Sequence, residues 1–78
     1  MLNPLARLRD ARASNPSGAT VPVFAGDVQD VCAPLDPKAP PVAALVELAL
    51  PVERPGAQIR VPGAHLDKVI ELASKKAN

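Results

Sequence analysis

The chain reads as a small α+β domain: a β-hairpin, with an optional third edge strand, packed by a C-terminal amphipathic helix. Around it stand a short N-terminal helix and proline-rich extended segments. Three observations predict this. Apolar residues alternate on either side of Pro55-Gly56. Leu66, Val69, Ile70, Ala73 and Ala77 recur at helical spacing near the end. Asn3-Pro4 opens the chain with a helix start.

At the N-terminus, Asn is a good cap, and Pro in the first helical turn has no amide hydrogen to leave unpaired. A helix over residues 4–13 follows, with Leu2, Leu5 and Leu8 on a narrow stripe and Arg7, Arg9 and Arg12 on the remaining surface. Ser14-Asn15-Pro16-Ser17-Gly18 ends it. A helix of about ten residues is unstable alone, so its leucines must dock on something. Thr20 to Phe24 reads as a strand that Pro22 confines to a sheet edge or to an irregular extended stretch. Gly26-Asp27 then caps a short helical turn that points Val28, Val31 and Cys32 inward and stops at Pro34. Residues 35–41 hold three prolines and read as an extended connector.

The hairpin comes next. Val46, Leu48, Leu50 and Val52 alternate with Glu47, Ala49, Pro51 and Glu53, and Gln58-Ile59-Arg60-Val61 alternates again. Folding about a type II turn at Arg54-Pro55-Gly56-Ala57 sets Val52 against Ile59 and Leu50 against Val61 on one face. A competing reading makes Val42 to Leu50 a buried helix started by Pro41, and the Ala- and Leu-rich composition suits it too. Pro62-Gly63 ends the second strand. The final helix, about residues 64–77, has Asp67 early, Lys75 and Lys76 late, and a Glu71–Lys75 pair in the favourable order. No internal repeat is visible. The chain divides into an N-terminal helix and loop, residues 1–19, suited to a docking arm, and a hairpin–helix body, residues 20–78.

Composition bounds the function. The 78 residues suffice for one domain, which buries about 60–65% of the surface its unfolded chain exposes. Of the 47% apolar residues, fourteen are Ala, and Phe24 is the sole aromatic, so the core is built from small increments. One cysteine permits no internal disulfide, and one histidine leaves a zinc site short of ligands. Association with partners is the remaining way to stabilise so small a core, unless its packing is exceptional. A net charge of +1 supplies no field that would draw the chain to nucleic acid or anionic lipid. No apolar run approaches the roughly 20 residues that span a membrane. Nor does the start have the form of a signal peptide. The expected location is the cytoplasm or a larger particle such as a virion.

Side chains that could carry chemistry are sparse. His65 has no nucleophile or orienting carboxylate beside it, and Asp67 points elsewhere on a helix. Cys32 lies at the end of a short helical turn, the wrong pole to favour a thiolate. Asp27 and Asp30 read as a cap and a solvated charge, with no third ligand near. The glycines have no phosphate-cradling spacing. No catalytic, cofactor-binding or metal-binding residue is assigned, and the chain is expected not to be an enzyme. The expected role is a structural or assembly subunit docking on a larger complex, for example a minor or decoration component of a virion. Its contacts would be Leu2, Leu5, Leu8, Arg7, Arg9, Arg12 and Phe24. Protein partners or self-association are expected, with no membrane and no small-molecule substrate. The alternative is a small nucleic-acid-binding or regulatory protein that seats the arginines of the first helix on phosphates.

Overall fold

In the computed structural model, which describes residues 3–77, the elements run α1 (Pro4–Ser14), β1 (Thr20–Phe24), α2 (Ala25–Cys32), α3 (Pro40–Ala49), β2 (Gln58–Pro62) and α4 (Gly63–Ala77). Asn3 caps α1 as its sequence foretells, its side-chain oxygen accepting from the Ala6 amide at 2.8 Å. The α+β class and the long C-terminal helix are as expected. The composition of the sheet is not.

β2 pairs antiparallel with β1 and not with residues 46–53, so the expected local hairpin does not form. Its register sets Val21 against Val61 and Val23 against Ile59. Residues 40–49 are helical, which decides the open question at 42–50 in favour of the helix. Pro40 and Pro41 are its first two residues, not connector. There they forfeit nothing, because the first four amides of a helix have no intrahelical acceptor. Helical spacing buries Val42, Leu45 and Ala49, whereas strand alternation would have buried Leu48 and Leu50, which are exposed. Val21 and Val23 are buried opposite Val61 and Ile59 in this pairing. Pro22 is tolerated because the bonds from Ala25 N–H to Ala57 C=O and from Gly63 N–H to Ala19 C=O set the ladder's phase. That phase turns the backbone of residue 22 to the free edge.

Those two bonds reveal a repeat that is faint in the sequence. The order helix–strand–helix occurs twice, and one constant shift along the chain carries Ala25 onto Gly63 and Ala19 onto Ala57. It also superposes Gly18 on Gly56, Val23 on Val61, Val28 on Leu66 and Val31 on Val69. Pro22 falls on Arg60, its own cross-strand partner, so an approximate twofold axis passes between them. The helices form a ring in which α1 packs on α2, α2 on α3, α3 on α4 and α4 back on α1. Inside it lie Leu8, Val28, Leu45, Leu66 and Val69, together with Val21 and Val61 from the inner sheet face. Overall extents of 27 × 26 × 24 Å leave no arm projecting among the described residues. Residues 4–19 therefore belong to the body.

The strands run into their helices without a loop, and this replaces the expected Gly26-Asp27 cap. Phe24 occupies the N-cap of α2 with no side-chain bond. Instead the amides of Ala25 and Gly26 donate to the carbonyls of Ala57 and Pro55. A Cβ on Gly26 would sit 2.8 Å from Pro55 Cβ and 3.1 Å from its carbonyl oxygen. Gly26→Ala should therefore destabilise by about 1–3 kcal/mol through overpacking, although Ala is the better helix former. At Gly56 nothing lies within 4 Å and no glycine has positive φ, so the turn is not type II. Gly56→Ala should be neutral or stabilise by up to about 1 kcal/mol. Urea midpoints of the two variants check the contrast.

Candidate docking surface

The three arginines of α1 each reach a side chain of another helix. Arg7 donates to both carboxylate oxygens of Asp27, at 3.0 Å from Nε and 2.8 Å from Nη2. Hydrogen bonding to Asp27 pushes the Arg7 pKa further up, against a smaller opposing effect of burial. Asp27 is thus neither cap nor solvated charge but the buried half of an ion pair, whereas Asp30 is exposed. Arg12 grips Asp67 through Nε and Nη2, at 2.8 and 3.1 Å, and donates from Nη1 to the Asn15 carbonyl at 2.9 Å. α4 begins at Gly63, so Asp67 lies beyond its first turn and serves the Arg12 bridge more than the helix dipole. Arg9 donates to the Ser74 hydroxyl. The contacts to Asp27, Asp67 and Ser74 join α1 to α2 and α4, while the Asn15 bond closes the end of α1 itself.

The described leucines of α1 likewise pack within the chain. Leu8 is in the core and Leu5 packs half-buried against it. Leu2 lies outside the described residues, as does the side chain of Ala77. Among the described residues of the expected stripe, Leu8 belongs to the fold's interior and Leu5 packs against it. A short amphipathic helix must bury its apolar face, and here α2, β1 and α4 receive it. Phe24 remains 41% exposed on the outer sheet face.

Sites for chemistry stay scattered. Burial pushes the Cys32 thiol pKa up, which disfavours the nucleophilic thiolate. His65 is half-buried in the first turn of α4, and the nearest acidic residue in sequence, Asp67, is held by Arg12. Among the described residues, no three His, Cys, Asp or Glu side chains are grouped to hold a metal ion. No described helix is long and apolar enough to cross a membrane.

No known family, curated protein or solved structure matches the chain. The surface must be read from its own chemistry, and two regions stand out.

The first is α3. Its ten residues contain one charge, Glu47, whereas α1 and α4 carry several each. Beyond its buried stripe it presents half-buried Ala43, Ala44 and Val46, with Leu48 40% and Leu50 69% exposed. A groove of about 270 Å³ runs between α2 and α3, lined mainly by Cys32, Leu35, Pro37, Val42, Val46 and Leu50. Gln29 closes part of its wall, donating to the Ala49 carbonyl at 3.2 Å. Nothing charged lines it. The strand reading of residues 46–53 hides this surface by turning Leu48 and Leu50 inward, and the competing helix over 42–50 reads as buried. The excess of apolar residues over the number one buried stripe requires was the signal that could have found it.

The second region is the outer face of the two-stranded sheet. There Thr20, Phe24, Gln58 and Arg60 are exposed, with Pro22 and Pro62 half-buried between them.

Proposed function

We propose that this chain is a non-enzymatic assembly subunit that docks on a larger protein complex or particle through α3 and the α2–α3 groove. The observation that carries the reading is Leu50, the most exposed large apolar side chain described, on the rim of an uncharged groove. An apolar protrusion beside an apolar recess is the form of a binding anchor with its surround. α1 takes no part in this docking, since its leucines and arginines hold the fold together.

A second reading moves the nucleic-acid alternative from α1 to the sheet. A two-stranded ribbon fits the major groove of a duplex. Thr20, Gln58 and Arg60 place hydrogen-bonding side chains on the ribbon's exposed face, and Arg and Gln are suited to guanine and adenine edges. One experiment separates the two. The tagged chain is isolated from its source at low and at high salt, and the co-purifying species are identified. A fixed protein partner kept by Arg60→Ala and lost by Leu50→Glu supports docking through α3. Nucleic acid that dissociates with salt and is lost by Arg60→Ala supports the ribbon. A chain that always arrives alone overturns both.

A further inference from the structure

The same surface is self-complementary, and we infer that its partner includes a second copy of this chain, paired through antiparallel α3 helices about a twofold axis. This rests on the docking reading and names the occupant of the groove. A closed dimer needs one patch that fits itself, so a protrusion must lie beside a recess that accepts it. Leu50 stands at the end of α3, while Leu35 and Pro37 line the groove before α3 begins. Antiparallel pairing therefore brings Leu50 of each copy to the Leu35–Pro37 end of the other's groove.

Charge follows the same geometry. Lys38 precedes α3 and Glu47 lies near its far end, both exposed. Among the described residues, neither is ion-paired within its own chain. The antiparallel arrangement that docks Leu50 sets Lys38 of one copy beside Glu47 of the other, twice per dimer. A parallel arrangement would instead oppose like charges. Ala43 and Ala44, small and half-buried, allow the helix axes to approach closely. A helix of ten residues spans only about 15 Å. The contact is accordingly small and the association weak, in the micromolar range or above.

Sedimentation of the whole chain from roughly 10 μM to 1 mM tests this. The mass should rise from the 8.1 kDa monomer towards twice that value. Leu50→Glu should weaken association at least tenfold while leaving the circular dichroism melt unchanged. Lys38→Glu and Glu47→Lys should each weaken it, and the double reversal should restore it. A wild-type mass fixed at that of the monomer, or no recovery in the double variant, overturns the inference. If the chain stays monomeric yet Leu50→Glu still loses an identified protein partner, self-pairing falls and docking through α3 stands.

Discussion

Leu45→Ala should cost about 2–5 kcal/mol of stability, while Leu50→Ala, five residues on, should stay within about 0.5 kcal/mol. Leu45 is wholly buried at the centre of the helix ring and Leu50 is largely exposed. Removing the Leu45 side chain deletes its apolar contacts and leaves a cavity that rigid neighbours close only in part. A chain of this length has on the order of 4–12 kcal/mol in all, so the loss is a large fraction of the total. The pair also tests the fold. Strand alternation over residues 46–53 would make Leu50 the inward residue and reverse the order of the two effects. Urea titration followed by circular dichroism gives both numbers. A Leu50→Ala loss larger than that of Leu45→Ala would reinstate the local hairpin.

Asp27→Asn should lower Tm by about 5–10 °C, whereas Asp30→Asn, one turn further along α2, should leave it unchanged. The Asp27 side chain is only 8% exposed and accepts a two-pronged hydrogen bond from Arg7. Charge-assisted paired bonds of this kind are roughly twice as strong as neutral ones. An amide in that place keeps the volume but turns donors towards a cation. The contact also fastens α1 to α2, so its loss loosens the whole N-terminal helix. Arg7→Lys should lose much of the same stability, because a lysine cannot reproduce the planar fork. Thermal melts at low and high salt are the measurement. The Asp27 carboxylate is buried but Arg7 is 39% exposed, so salt should screen the pair in part and narrow the difference between Asp27→Asn and wild type. Equal melting of Asp27→Asn and Asp30→Asn would show the pair to be incidental.

The candidate surface was only partly legible beforehand. The exposure of Phe24 follows from strand alternation, which puts it on the face opposite Val21 and Val23. Arg7, Arg9 and Arg12 invited a surface role because three cations on a short helix read as solvated. Their partners Asp27, Asp67 and Ser74 are far away in sequence, and no local pattern announces such contacts. Leu48 and Leu50 were recognised as apolar and given the wrong direction. A period of two and a period of 3.6 residues coincide over so short a run. Val42, Val46 and Leu50 satisfy helical spacing, while Val46, Leu48 and Leu50 satisfy alternation.

What the sequence determined by itself is local. It specified the Asn3-Pro4 start of α1, the strand character of 20–24 and 58–61, the inward stripe of α2 and the whole of α4. Capping, proline stereochemistry and helical periodicity act within a few residues, so they can be read without knowing the rest of the chain. Tertiary structure alone decided which strand accompanies β2, that residues 40–49 are helical and not partly strand, and that the chain folds as two similar halves around an axis. Proximity favours a local hairpin only weakly, because each doubling of a loop costs only about 0.6 kcal/mol. Pairing β1 with β2 lets Val21, Val23 and Val61 share an interior with Leu45 and Leu66, and that burial outweighs the longer connection.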